Sequence, residues 1–277
     1  MNCSQKLKSM IRSGGLVMPD AYDPLSAMLI EQAGFSAVQC SGYSMAIAAG
    51  GLDEDDLGPD RNLSVTRAIV QSVAVPVMAD GEEGFGDIAG TVAAYVRAGA
   101  AGINLEDRIH HIPEVRVSDR ESAAANIRSA RAAAAEAGNP ELVINARTDA
   151  LMAGEDRRNG LKESIIRGNM FLEAGADMVF VTKVASLDEV ETLVREIPGP
   201  VSIAAGLTYN IGSFSIRELL DRGVARVSLP AIAIMTVIAA LRANLKNIRD
   251  TGTFRELTQN KSICGPGEIN ALMREKA

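Results

Sequence analysis

Asp80, Glu82 and Glu83 follow one another inside the stretch V-P-V-M-A-D-G-E-E-G-F-G-D at 75–87. Oxygen ligands on a tight loop suit a hard cation such as Mg2+, with Mn2+ as the alternative; Mg2+ keeps several waters and uses one or two protein carboxylates. Gly84 and Gly86 let the backbone turn sharply and let another group come close to it. Taken alone, the same composition describes a solvated acidic turn between a strand and a helix. Residues elsewhere in the chain must decide between the two.

The elements that would position these groups repeat along the chain. The apolar run 75–80 lacks alternation, as expected of a strand buried on both faces. Comparable runs lie at 15–19, 37–40, 102–105, 141–146, 177–182, 200–205 and 225–229. Between them are stretches with helical spacing: 24–33, a helix starting at Tyr43, 64–72, 88–98, 118–138, 161–174, 187–197, 215–222 and 231–249. The helix at 118 opens with S-D-R-E, the pattern of a capping box. Eight strand-helix alternations with no compositional break predict one eight-stranded parallel (β/α)8 barrel of the TIM type over about 15–250, followed by a helical extension at 251–277. A doubly wound open sheet is the alternative, but the turn after the first strand is P-D-A-Y-D-P and lacks G-x-G-x-x-G. In a barrel all C-terminal strand ends share one mouth. Asp20, Ser41, Asp80, Glu106, Arg147 and Lys183 would converge there, and charged groups so placed need partners or a ligand. A ring of salt bridges closing the mouth is the structural alternative.

Composition narrows the classes. The chain has 277 residues, 47% of them hydrophobic, and a formal net charge of -7, which argues against nucleic acid or an anionic membrane as the main partner. Cys3, Cys40 and Cys264 are scattered, without a CxxC pair or a neighbouring His cluster, so neither a disulfide framework nor a zinc site is expected. Neither a leader segment nor a long uncharged apolar run is read, and a soluble cytoplasmic protein is expected.

Several segments resemble the isocitrate lyase and phosphoenolpyruvate mutase superfamily. They are S-G-Y-S-M-A at 41–46, G-G-L-D ending at Asp53, A-D-G-E-E-G-F-G at 79–86, N-L-E-D at 104–107 and N-A-R-T-D-A at 145–150. P-D-A-Y-D-P-L-S-A, G-A-D-M-V-F and G-V-A-R-V-S-L add to them, in family order from about residue 15 to 240. The resemblance implies a Mg2+-dependent barrel acting on 2-oxo or 2-hydroxy acids through a pyruvate-like enolate. Carried over by position, Asp80 is the carboxylate nearest the metal, and Glu82, Glu106 and Asp53 hold its water shell. Ser41, Gly42 and Tyr43 grip the substrate carboxylate, and Arg147 supports the substrate oxygens. These roles suit the residue types, since a planar guanidinium matches carboxylate or enolate oxygens. The family is also commonly homotetrameric, with a C-terminal helix packed on a neighbour; here that helix would follow Phe254.

Two departures stand out. The metal motif reads Asp-x-Glu where many members have Asp-x-Asp, which keeps the charge and moves the carboxylate by a methylene. The lid after Glu106 reads D-R-I-H-H-I-P-E-V-R-V-S and lacks both the cysteine of the lyases and the lysine and asparagine of the phosphonomutases. His110 and His111, the only histidines, lie in this lid and could replace the missing proton donor. Lys183 could meet a substrate carboxylate or pair with an acid of the pocket. Cys40 reads as a small buried apolar residue rather than a nucleophile. The run D-E-D-D-L-G lacks the glutamate that an EF-hand needs at its twelfth position, so Ca2+ is not expected there.

The leading expectation is a Mg2+-dependent lyase that cleaves a carbon-carbon bond of a small carboxylic acid. Phosphonomutase or phosphonopyruvate hydrolase chemistry is the first alternative, and a non-catalytic carboxylate-binding barrel the second.

Overall fold

The computed structural model describes residues 1–52 and 56–274. Eight parallel strands close into a barrel in sequence order: β1 Leu16–Ala21, β2 Val38–Cys40, β3 Val77–Asp80, β4 Gly102–Glu106, β5 Val143–Thr148, β6 Met178–Val181, β7 Val201–Ala204 and β8 Arg226–Leu229. β8 pairs back onto β1 through Val227 and Val17. The predicted (β/α)8 barrel is therefore the observed fold.

Helices surround the barrel: α1 Cys3–Ser13, α2 Pro24–Gln32, α3 Gly42–Ala48, α4 Pro59–Val70, α5 Ile88–Ala98, α6 Arg120–Glu136, α7 Ala150–Ala153, α8 Arg157–Glu173, α9 Leu187–Glu196, α10 Ile216–Asp221, α11 Ile232–Thr251, α12 Arg255–Gln259 and α13 Pro266–Arg274. Their starts follow local chemistry. Asp23 caps α2 by accepting from the Ser26 amide at 2.7 Å, with Pro24 in the first turn, where its missing N–H costs nothing. At α6 the expected S-D-R-E box does not form; Asp119 is the cap, accepting from Ser122 N at 2.9 Å, while Ser118 N donates to the Asp107 carbonyl. The short carboxylate already satisfies the free amide, which leaves Glu121 to solvent.

Sequence periodicity did not mark α1. It opens with a capping box between Asn2 and Gln5 and buries Leu7 and Ile11 against Met18, Met78, Val143 and Met178 at the base of the barrel. That plug closes the end opposite the strand C-termini. Above it the interior is polar rather than filled with branched aliphatics. Asn145 Nδ2 donates to Asn104 Oδ1 at 2.7 Å, Ser228 meets Gln39 at 3.3 Å, and fully buried Arg226 donates to Ser202 Oγ at 3.1 Å. Burial pulls the Arg226 guanidinium down to about 9, against the nearby charges of Asp80 and Asp20.

Among the described residues no helix is long and apolar enough to cross a membrane. α11 buries only Ile234, and Val237, Leu241 and Leu245 form an exposed apolar stripe along it. Two further helices, α12 and α13, do follow Phe254.

Candidate active site

The loop after β3 is wound tightly enough to aim two carboxylates at one point. Gly81 N donates to the Asn104 carbonyl, and Glu106 N donates to the Glu82 carbonyl at 2.9 Å, so the loop continues the β3–β4 ladder beyond the strand. Glu82 and Phe85 have φ of +46° and +49°, a left-handed conformation that side chains other than glycine rarely adopt and that tends to persist at functional positions. Gly84, at φ +93°, could not carry a side chain, because a Cβ would lie 2.3 Å from Ile88 Cδ1. Thr91 Oγ1 and the Asp87 cap then launch α5.

Asp80, Glu82 and Glu106 are all buried, with 8%, 4% and 7% of their surfaces exposed. Gly42, the first residue of α3, donates its amide to Asp80 Oδ2 at 2.8 Å. It is glycine for a steric reason: a Cβ there would stand 1.9 Å from Glu82 Oε1 and 3.5 Å from Asp80 Oδ2. Glu106 sits between two basic side chains. His110 Nε2 is 2.7 Å from its Oε1, and Arg147 Nη1 forms an ion pair with its Oε2. Ligand atoms of Glu82, Glu106 and His110 lie within 4.8 Å of one another. Burial raises the Glu106 pKa against the pull of Arg147 and His110. Crowded, desolvated carboxylates of this kind gain most from a bound cation, so the donor set fits a divalent ion.

Arg147 is a fork between two acids. Besides Glu106 it holds Asp149 Oδ2 through Nη2 at 2.9 Å, and Asp149 also accepts from the Thr182 hydroxyl. Burial disfavours the charge on Arg147, but Asp149 and Glu106 outweigh it and hold the guanidinium above its ordinary range. For Asp149 burial acts upward, and Arg147 with the Thr182 hydrogen bond brings the net shift down. Behind them Asp107 accepts from Thr148 Oγ1 at 2.6 Å, from the Asp149 amide at 3.1 Å and from Arg167 Nη1 at 3.1 Å. Residue types in N-L-E-D and A-R-T-D point to charge here, but only the barrel register shows that Asp107 stands behind the site and that Asp149, at the cavity wall, is paired with Arg147.

A cavity of about 450 Å³ opens at this mouth. Ser41, Tyr43, Asp80, Glu82, His110, Arg147 and Lys183 line it, as do Arg108, Asp149 and Thr182. His111, also predicted as a proton donor, is exposed and does not line the cavity, whereas the His110 side chain is 5% exposed. Ser41 Oγ is engaged by the Ser44 amide as the cap of α3, and Ser44 Oγ in turn donates to buried Asp20 at 2.9 Å. Asp53 lies outside the described residues. Cys40 is fully buried, and burial pushes its thiol up to about 12, so it is no nucleophile.

Comparisons with known proteins give the family of this barrel. The family model described as phosphoenolpyruvate phosphomutase matches residues 7–249. The chain is 33% identical over 275 residues to a chloroplastic carboxyvinyl-carboxyphosphonate phosphorylmutase of Arabidopsis thaliana, covering 94% of this chain and 78% of that protein. It is 32% identical over 212 residues to 2,3-dimethylmalate lyase of Eubacterium barkeri, covering 72% of this chain and 70% of the relative. A crystal structure of phosphonopyruvate hydrolase with oxalate and Mg2+ superposes with a TM-score of 0.87 at 27% identity, covering 100% of this chain and 96% of that one. These relatives are lyases, mutases and hydrolases, all of them enzymes. With the family model spanning nearly the whole barrel, the chain belongs to the phosphoenolpyruvate phosphomutase family, within the isocitrate lyase and phosphoenolpyruvate mutase superfamily.

Proposed function

We propose that this protein is a Mg2+-dependent lyase that cleaves a carbon-carbon bond of a small 2-oxo or 2-hydroxy carboxylic acid, leaving a pyruvate-like enolate. The observation that carries this reading is the convergence of Asp80, Glu82 and Glu106 with Arg147 and His110 at one end of the cavity. Asp80, Glu82 and Glu106, with Asp53 as the fourth expected carboxylate, would hold a divalent cation, which supplies charge neutralisation for oxygens that become anionic during cleavage. Arg147, held by Asp149 through Nη2 and by Glu106 through Nη1, would support such oxygens with its remaining N–H groups. Ser41, Gly42 and Tyr43 form the wall that would receive the substrate carboxylate. As the bond breaks, its electron pair would stay on the enolate fragment while the hydroxyl on the other carbon loses its proton and becomes a carbonyl; His110 Nε2, hydrogen-bonded to Glu106, would return a proton to the enolate carbon.

The lid favours a second reading within the same family. It lacks the lyase cysteine, and the relatives include the phosphorylmutase and a phosphonopyruvate hydrolase of Variovorax, 29% identical over 272 residues. Carbon-phosphorus chemistry at the same enolate site is that second reading. The barrel would assemble as a homotetramer, a reading supported by the exposed stripe of Val237, Leu241 and Leu245 on α11.

The test is a turnover screen with Mg2+ over isocitrate, methylisocitrate, dimethylmalate, oxaloacetate, phosphonopyruvate and phosphoenolpyruvate, followed by proton and phosphorus NMR, with Asp80→Ala as control. Pyruvate or glyoxylate appearing from a phosphorus-free acid with the wild type alone supports the lyase. A new phosphorus resonance supports the second reading. Silence while Mg2+ binds leaves a carboxylate-binding barrel.

A further inference from the structure

The lid is folded as a short ladder. Arg108 and Val117 face one another across an antiparallel bridge, Ile109 N donates to the Arg116 carbonyl at 2.9 Å, and Ser118 N donates to the Asp107 carbonyl at 2.8 Å. At its base the Asp107 amide donates to the Arg147 carbonyl at 3.2 Å. Within the turn His111 has φ of +61°, and the planes of the two adjacent imidazoles stand at 62° to one another. Only the His110 ring lines the pocket, and its side chain is 5% exposed.

His110 Nε2 sits where a ligand atom of a cation would. It lies 2.7 Å from Glu106 Oε1 and 3.8 Å from Glu83 Oε2, and ligand atoms of Glu82, Glu106 and His110 fall within 4.8 Å of one another. In an octahedral shell with bonds of about 2.0–2.1 Å, neighbouring ligand atoms stand about 3.0 Å apart and opposite ones about 4.2 Å apart. The edge between His110 and Glu106 is already close to the first spacing. A contraction of about 0.6 Å or less brings the whole set onto one ion.

Donor chemistry then divides the divalent ions. Mg2+ keeps its waters and prefers oxygen, so it leaves His110 on Glu106 and meets the carboxylates largely through water. Co2+ and Zn2+ take imidazole nitrogen, and their affinity for mixed nitrogen and oxygen sites is higher along the first transition row. A ring nitrogen bound to a metal has no lone pair left for a proton.

We propose that His110 is a lid-borne metal ligand for transition ions, so that Co2+ or Zn2+ at the acidic pole draws Nε2 into its shell, ties down the lid and removes the proton donor. The Nε2 lone pair replaces one metal-held water, and any proton on Nε2 passes to solvent. This rests on the metal reading of the acidic pole and deepens it. Mg2+ supports turnover, whereas Co2+ and Zn2+ hold the lid against the site.

Mg2+, Co2+ and Zn2+ are titrated calorimetrically into the full chain as wild type, His110→Ala and His111→Ala. His110→Ala should weaken Co2+ and Zn2+ about tenfold or more and leave Mg2+ within about twofold, while His111→Ala changes none of them by more than about twofold. The visible absorption bands of bound Co2+, which move when nitrogen is exchanged for oxygen, should shift in His110→Ala alone. Tryptic cleavage after exposed Arg116 should slow with Co2+ but not with Mg2+ in the wild type, and with neither ion in His110→Ala. An unchanged Co2+ affinity and spectrum in His110→Ala overturns the ligand assignment while Mg2+ binding keeps the metal reading intact. Equal weakening of Mg2+ and Co2+ overturns it as well, since His110 then acts only through Glu106. A wild type that binds none of the three ions overturns the metal reading itself, and the proposal with it.

Discussion

Gly42→Ala tests the site without removing any proposed ligand. The added Cβ would stand 1.9 Å from Glu82 Oε1, whereas real Cβ atoms essentially never come within 3.0 Å of such a neighbour. Glu82 must therefore withdraw by at least about 1 Å, and it is only 4% exposed, with its backbone already held in the left-handed region. Glu82 would meet the ion through a metal-held water, and a shift of about 1 Å breaks a hydrogen bond of ordinary length, which removes the Glu82 contribution. A charged hydrogen bond to a metal-held water is worth about 1.5–3 kcal/mol, which is about 10- to 150-fold in the metal Kd. Calorimetric titration of Mg2+ or Mn2+ measures it. The cause is isolated by a double-mutant cycle, since in a Glu82→Ala background the obstruction is gone and Gly42→Ala should add almost nothing. Wild-type affinity in Gly42→Ala, or the same further loss in both backgrounds, would refute the steric account.

Burial raises the Asp20 carboxyl from 3.8 to about 6. Its folded pKa therefore lies above the unfolded one, so the contribution is fully present below about pH 4 and is lost as pH rises through about 6, a change of about 3 kcal/mol. Asp20→Asn keeps an acceptor for Ser44, so urea titrations between pH 4 and pH 7 should show a flatter stability profile in the variant; an unchanged slope would count against burial as the cause. His110→Gln should slow turnover by about two orders of magnitude, while His111→Gln stays within about twofold, as steady-state rates on the identified substrate would show. Equal effects would mean that the lid contributes as a whole rather than through Nε2 of His110. Replacing Leu241 and Leu245 together by Glu should reduce the solution mass measured by light scattering; a wild type that is already monomeric disposes of the assembly reading.

Eight alternating apolar runs were enough to specify the barrel, because a strand buried on both faces has a continuous apolar signature and its terminating polar residue must then face the common mouth. That rule also brought Asp80, Glu106, Arg147 and Lys183 together from distant parts of the chain. Local pattern was insufficient at α1, where a polar, basic segment buries only a narrow stripe, and at α6, where Asp119 displaced the expected serine as cap. It also could not separate the two histidines, since adjacent residues differ only in the direction the folded lid turns them. Residue types along the chain thus determined the barrel, the acidic loop and the family. Tertiary structure decided that His110 rather than His111 reaches Glu106, that Asp149 and Asp107 brace Arg147, and that Lys183 rests on Tyr209. Each of these depends on side chains from different strands and loops meeting at distances of a few ångströms, and strand register and loop winding set those distances only once the barrel has closed.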